Sequence, residues 1–341
     1  MTGVDDLAGL PVVVTGGCGF VGTNLVEALV GEGARIGVVD LPGADWSRMP
    51  AGVVRMEADL LDGPGLRTAL AGFEAPAIVY HLAARTDLDG RTLADYAVNT
   101  TGTDNLIAAI AERGAVRRFV HYSTQLVAGL FDESRFIDET EPFRTTTVYG
   151  DSKVESEKVV RARCDALGIA WTIVRPTSVY GPWGAAPYRE FFAQIRRGRY
   201  LHVGRAANLV SLVYVENLVD LTLLLGCHDG AAGEVFFAND FHPYPMRQVV
   251  DVAAAHYGVR IRTAPVWLLV LAAYTLGLFK AAGAPVPLYP FRLRNMRMTY
   301  CYDIRKSVRL GYDPRFGLED GIGRTVRWYD AHPAFADGKG G

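Results

Sequence analysis

Two short stretches of the chain carry side chains of the types that do chemistry. Tyr149-Gly-Asp-Ser-Lys153 sets a phenol and an ammonium four residues apart, on one face if the stretch is helical. A free phenol ionises near pH 10, so acid/base work near neutrality asks for roughly 3–4 kcal/mol of stabilisation of the phenolate. A neighbouring ammonium supplies part of that by Coulomb attraction. Ser123-Thr124 closes an apolar run over 118–122 and offers hydroxyls that can hold a substrate oxygen beside the phenol. The second stretch is Gly16-Gly17-Cys18-Gly19-Phe20-Val21-Gly22, between the apolar Pro11–Thr15 and a run with helical spacing, Phe20–Val30. Glycines at 16, 19 and 22 allow a tight turn, close approach of a pyrophosphate, and close helix–strand packing. The N–H groups at the start of the helix then face the phosphates. Gly16, Gly19, Phe20 and Val21 are the contacts expected from this turn. Asp40 lies 24 residues after Gly16, at the end of the next apolar run. A carboxylate there accepts both ribose hydroxyls and repels a 2′-phosphate, so the cofactor expected is NAD rather than NADP.

The elements that must position these groups alternate. Strand-like runs at 11–15, 35–39, 53–56, 77–81, 118–122 and 170–174 are interleaved with helical patterns at 20–30, 93–113 and 149–167. Such alternation predicts an α/β fold, a doubly wound parallel sheet with helices on both faces. The rhythm breaks after Arg175-Pro176. The expected division is a dinucleotide-binding domain over 1–176, completed by part of 205–240, and a small C-terminal mixed α/β substrate cap over 177–335. Two further strand-like runs, Val210–Val215 and Glu234–Ala238, fall in the second half.

Composition narrows the function. Half the residues are hydrophobic, and 35 basic against 37 acidic side chains give a net charge of −2 over 341 residues. That balance gives no general attraction to nucleic acid. The four cysteines, Cys18, Cys164, Cys227 and Cys301, form no metal-ligand spacing and no disulfide ladder. They read as free thiols, and no metal is expected. The first ten residues carry two acids and no basic n-region, so no signal peptide is read and a cytoplasmic location is expected. Val266–Phe279 is uncharged over 14 residues, opened by Pro265 and closed by Lys280 and Gly283. That is short of the roughly 20 residues needed to span a bilayer. It reads as a buried or lid helix, or as a segment (265–280) that lines an apolar pocket or lies on a membrane surface.

Taken together, these motifs make the chain resemble the extended short-chain dehydrogenase/reductase superfamily, which includes nucleotide-sugar epimerases and 3β-hydroxysteroid dehydrogenases. The residues carrying the likeness are Thr15–Gly22, Asp59-Leu60, His81–Ala84, Asn99-x-x-Gly-Thr103, Tyr122–Thr124, Tyr149-x-x-x-Lys153 and Arg175–Pro182. Val213–Asn217 and Leu310–Pro314 extend it, in the family's order. The resemblance implies a Rossmann-type sheet and NAD. It makes Thr124 the catalytic hydroxyl, Tyr149 the acid/base, and Lys153 the residue that binds the nicotinamide ribose and tunes the phenol. It places Asp59 and Leu60 about the adenine, and Leu82, Ala83 and Ala84 under the reacting ring. Asn99 supports the cofactor, Ser123 stands beside it, and Pro176 and Val179 approach the carboxamide. It also implies a homodimer through the helices 93–113 and 149–167.

The reaction expected is hydride transfer between NAD and a secondary alcohol or ketone carbon of a small-molecule, hydroxysteroid-like substrate. Gln125-Leu126 follow Thr124 where dehydratases of this type carry Asp-Glu, which argues against dehydration. Ser178 stands where nucleotide-sugar enzymes carry Asn, and Val210-Ser211 where they carry a diphosphate-binding Arg. Arg205 remains a phosphate candidate, and Arg85 and Gln125 join Ser178 and Arg205 as substrate candidates. The alternatives are a nucleotide-sugar epimerase, which returns the hydride to the other face, and a non-catalytic NAD-sensing binding protein.

Overall fold

The computed structural model describes residues 7–114, 116–129, 135–184, 186–281, 290, 293 and 297–336, with the side chains of 278–281 left aside. Gly283, expected to close the apolar helix, lies outside them. Seven parallel strands form the central sheet: β1 (Pro11–Thr15), β2 (Arg35–Asp40), β3 (Val54–Glu57), β4 (Ile78–His81), β5 (Arg118–Tyr122), β7 (Trp171–Pro176) and β12 (Glu234–Ala238). Their spatial order is β12-β7-β5-β4-β1-β2-β3. The order reverses between β1 and β4, and ligands of such sheets bind outside the strand ends at that reversal. The turn after β1 and the segment after β4 both open there.

Side-chain alternation in the strands feeds two cores. Val12 and Val14 point to one face, with Leu25, Val26 and Leu29 of α1 (Phe20–Gly31). Val13 points to the other, with Leu66 and Leu70 of α2 (Gly63–Ala71), Leu106 and Ile107 of α3 (Thr103–Ala111), and Val160 of α4 (Val148–Leu167). Burial on both faces explains why the strands read as continuous apolar runs.

Three sequence expectations change. The helix expected over 93–113 is a 3₁₀ turn (Leu93–Tyr96), a π turn (Val98–Gly102) and then α3. Such a π turn carries an inserted residue and is frequent at functional sites; here it holds Asn99. The run Val210–Val215 splits into β10 (Leu209–Val210) and β11 (Leu212–Tyr214), and Val215 opens α6 (Val215–Cys227) instead. Ser211 separates the two strands, its buried hydroxyl accepting from the Tyr302 N–H and from Asn239 Nδ2. Finally, α2 has no counterpart among the expected helices; Asp62 caps it, accepting from the Gly65 N–H, and Pro64 sits in its first turn.

The second half is assembled from small pieces. β6 (Phe136–Ile137) pairs with β15 (Cys301–Tyr302), and β8 (Ser178–Tyr180) with β11. β9 (Leu201–Val203) pairs with β14 (Arg262–Ala264), and β10 with β13 (Tyr244–Pro245). Helices α5 (Tyr188–Arg196), α7 (Met246–His256) and Leu318–Ala331 share an aromatic-rich core that includes Phe192, Tyr214, Tyr244 and Tyr329. Helix α8 (Val266–Ala281) follows β14.

Candidate active site

The glycine turn has no room for side chains. Gly16 has φ +71°, and a Cβ there would lie 2.7 Å from the Ala83 N. At Gly22 it would lie 2.1 Å from the Gly16 carbonyl oxygen. Gly19 precedes α1 and places no side-chain cap on it, which leaves the first N–H groups of the helix open to an anion. Phe20 and Val21 begin the helix half-buried. Asp40, at the end of β2, reaches back to the turn: one oxygen accepts from the Cys18 N–H at 2.9 Å and the other from the Leu41 N–H at 2.8 Å. Each carboxylate oxygen keeps a further lone pair for a ribose hydroxyl. Burial first, then the Asp40 charge, pushes the Cys18 thiol up to about 12, so it stays a neutral wall of the cradle. These residues fit the pyrophosphate and ribose of NAD.

The segment after β4 is fixed by a buried chain of hydroxyls through His81. Burial and the Lys153 charge lower His81 to about 3, so its ring is neutral. Thr103 Oγ1 donates to the Asn99 carbonyl at 2.7 Å and therefore accepts from His81 Nε2 at 2.9 Å. His81 Nδ1 then accepts from Thr15 Oγ1 at 2.7 Å, and Thr15 Oγ1 accepts from the Ala83 N–H at 3.3 Å. The chain locks Leu82, Ala83 and Ala84, all half-buried, over Gly16.

Asn99 joins three elements. Its Oδ1 accepts from the Arg85 N–H, and its Nδ2 donates to the Arg85 carbonyl and to Ser152 Oγ. Ser152 Oγ donates onward to the Tyr149 carbonyl at 2.7 Å, tying the π turn to the first turn of α4. Thr147 caps that helix, accepting from the Gly150 N–H.

The structure brings Thr124 and Tyr149 together. Burial raises the Tyr149 phenol to about 12, against a side-chain hydrogen bond with Thr124 that lowers it. Tyr96 packs 6.1 Å away, ring to ring, and the Arg85 guanidinium lies 5.1 Å from the Tyr96 ring. Lys153, one turn along α4, is 2% exposed, and burial lowers its ammonium to about 8 while Glu157 works the other way. Its Nζ lies 3.4 Å from His121 Nε2, which also meets Ser156 Oγ at 2.9 Å. Burial is the largest influence on the phenol, ahead of the Thr124 hydrogen bond and the neighbouring Tyr96.

Sequence reasoning missed Glu157. Burial pushes its carboxyl up, but Arg175 Nε and Nη2, each at 2.8 Å, together with Ser123 Oγ at 2.6 Å, hold it below the usual range. Ser123 is thus committed to Glu157, and Thr124 faces the phenol. The available signal was an acid one turn beyond Lys153 on the same helix face.

The remaining candidates are more scattered. Asp59 is exposed and Leu60 buried in the turn after β3; Pro176 ends β7, and Val179 lies half-buried in β8. Gln125 is buried beside Thr124, and its Oε1 finds no partner among the described residues. Ser178 hydrogen-bonds to the phenols of Tyr188 and Tyr300. Arg205 is exposed beyond β9, its carbonyl accepting from Arg247, and no described side-chain bond ties it to Thr124 or Tyr149. Among the described residues there is no cluster of metal-ligating side chains.

Comparison with known proteins places the chain in a family. The chain is similar to a 3 beta-hydroxysteroid dehydrogenase/Delta 5-->4-isomerase of Mycobacterium tuberculosis, 29% identical over 93% of this chain and 90% of the relative. It is 27% identical to the N-acetyl-alpha-D-glucosaminyl-diphospho-ditrans,octacis-undecaprenol 4-epimerase of Escherichia coli O157:H7, over 94% of this chain and 96% of that one. The solved UDP-glucose 4-epimerase of Thermus thermophilus, in complex with NAD, superposes with a TM-score of 0.75 at 25% identity, covering 94% and 99% of the two chains. The model of the NAD dependent epimerase/dehydratase family matches residues 12–237, and the chain belongs to that family of NAD-dependent enzymes.

Proposed function

We infer that the protein is a dehydrogenase/reductase that moves a hydride between NAD and the carbinol or carbonyl carbon of an apolar, hydroxysteroid-like substrate. The observation that carries this reading is the hydrogen-bonded Thr124–Tyr149 pair, with the buried Lys153 ammonium one turn away, beside the glycine cradle. When bound, NAD supplies the hydride acceptor and a positive charge near the phenol. Tyr149 takes the alcohol proton as the hydride leaves, or returns it in the reverse direction, and Thr124 Oγ1 holds the reacting oxygen in line. A phenol held near 12 by burial needs cationic company to ionise, and Lys153, about 8, is still mostly charged at neutral pH. Asn99 keeps α4 and the Arg85 segment in register, and Asp59, Leu60, Pro176 and Val179 complete the cofactor's surroundings.

The substrate class rests on the lining. Ser178 is engaged by the Tyr188 and Tyr300 phenols, and Gln125 Oε1 is a buried acceptor with no partner among the described residues, which supports a substrate hydroxyl beside Thr124. The steroid and polyprenol relatives both act on molecules with large hydrocarbon portions. Residues 1–176, with β12, form the cofactor half of this assignment, and 177–335 the cap. A homodimer through α3 and α4 is the assembly assigned to it, checked by sedimentation equilibrium.

The test is incubation with NAD and a panel of 3-hydroxysteroids while the absorbance of reduced nicotinamide is followed. Growth of that band, cut by about 10²–10⁴-fold in Tyr149→Phe with NAD affinity retained, supports the reading. Isomerised UDP-sugar without net reduced cofactor would replace it by an epimerase. NAD binding with no turnover of any substrate would leave a binding protein.

A further inference from the structure

From Val266 to Tyr274 helix α8 carries only apolar and aromatic side chains. Val266, Leu269, Val270 and Ala273 turn inward, packing with Val203 of β9. The outer face carries Trp267, Leu268, Leu271 and Tyr274, at 69%, 45%, 57% and 65% exposure. Positions 267, 271 and 274 follow i, i+4, i+7 spacing and make one continuous stripe. A helix washed by water carries a polar outer face, and one hydrophobic all round has apolar material against it. Among the described residues no helix is long and apolar enough to cross a membrane.

Charge around the helix bears on what could cover the stripe. From Val252 to Tyr302 the sequence holds six basic residues, Arg260, Arg262, Lys280, Arg292, Arg294 and Arg297, and not one Asp or Glu, in a chain of net charge −2. Arg260, Arg262 and Arg297 are exposed, and Arg262 opens the strand that leads into α8. A second copy docking face to face would set this cationic stretch against itself. An anionic lipid surface matches both features: hydrocarbon for the stripe and phosphates for the arginines. We propose that α8 lies in the plane of an anionic bilayer surface, with Trp267, Leu271 and Tyr274 at the headgroup–acyl boundary and the exposed Arg260 and Arg262 on lipid phosphates. Only the purpose of this docking, meeting a water-insoluble substrate, rests on the function inferred above; the binding itself needs neither substrate nor NAD.

The experiment is vesicle flotation of the full chain at low salt, without cofactor, using phosphatidylcholine alone or mixed with phosphatidylglycerol. The wild type floats with the anionic vesicles and binds neutral ones about tenfold less well or worse. Trp267→Ser/Leu271→Ser and Arg260→Glu/Arg262→Glu each lose about tenfold or more in partitioning while melting like the wild type. Absence of flotation with anionic vesicles overturns the proposal, and so does unchanged flotation of the Trp267→Ser/Leu271→Ser protein. A vesicle-free dimer that this variant abolishes also overturns it, in favour of a second copy. Flotation without steroid turnover would sink the assigned substrate and leave the docking standing; turnover without flotation would do the reverse.

Discussion

Replacing Lys153 by Met is expected to abolish turnover and stabilise the fold. The side chain is 2% exposed, and burial moves its ammonium from the ordinary 10.5 to about 8. That difference amounts to about 3 kcal/mol held against the folded state. Its sign follows from the folded value lying below the unfolded one. The penalty is full below about pH 8, where both states are charged, and it fades as pH rises toward the unfolded value. Methionine keeps most of the volume and removes the charge. Part of the gain is offset, because His121 Nε2 loses a donor and Glu157 loses a cationic neighbour. A net gain of about 1–3 kcal/mol remains, roughly 3–8 °C in melting temperature. The assay is denaturant unfolding of cofactor-free wild type and Lys153→Met at about pH 7 and about pH 9.5. Cys18 and Cys164, both raised to about 12 by burial, also weaken the fold as the unfolded chain's thiols ionise. They do so equally in both proteins and cancel in the difference. The gap between the two proteins should be wide at the lower pH and narrow at the higher. A variant no more stable than wild type near neutrality, or a gap that ignores pH, would show that the buried Lys153 ammonium carries no such penalty.

Other perturbations read out other parts of the site. Asp40→Ala removes the proposed ribose acceptor and the partner of the Cys18 N–H, so NAD affinity should fall and the preference over NADP shrink by about tenfold or more; an unchanged NAD/NADP ratio in paired titrations speaks against the role. Gly22→Ala drives a Cβ to 2.1 Å from the Gly16 carbonyl oxygen, and about 1–3 kcal/mol of stability should go with most NAD binding, measured by unfolding and calorimetry. Asp240 is buried, and desolvation raises it to about 7 although Asn217 Nδ2 donates to it at 2.7 Å. Its folded value lies above the unfolded one, so its contribution is present in acid and is lost as pH rises through about 7. Asp240→Asn, which keeps the acceptor oxygen, should flatten the fall in stability between about pH 5 and 8; the same slope in both proteins counts against it.

The parts legible in the sequence are those where local pattern and tertiary role coincide. Val12–Val14 is buried on both faces, so it reads as a strand without knowledge of its neighbours. The glycine turn reads because backbone contacts at Gly16 and Gly22 leave space for nothing else. Tyr149 and Lys153 read from their spacing, and Thr124 from its place at a strand end. What escaped depends on long-range partners. The π turn exists where Asn99 bonds to Arg85 and Ser152, 14 residues before and 53 after it, and no local periodicity encodes that. Val215 continues a strand-like, largely apolar run yet starts α6, because Ser211 ends one strand pairing and Asp240 accepts the Tyr214 N–H where the helix begins. Glu157 looks like one more charge on a charged helix; only Arg175, arriving from β7, makes it a buried partner. A Lys153 effect on the phenol is the natural inference from spacing, but burial is the largest influence on it and the Thr124 hydrogen bond the chief one opposing it.

The central claim is that a hydride passes between substrate and NAD while Tyr149 carries the proton. It is tested most directly by supplying a 3-hydroxysteroid deuterated at the carbinol carbon and recovering the nicotinamide for mass spectrometry. Deuterium is expected on the reduced nicotinamide, released in step with ketone formation and falling about 10²–10⁴-fold in Tyr149→Phe. Ketone formed without label on the cofactor, or label transfer at full rate in the Tyr149→Phe protein, would contradict it.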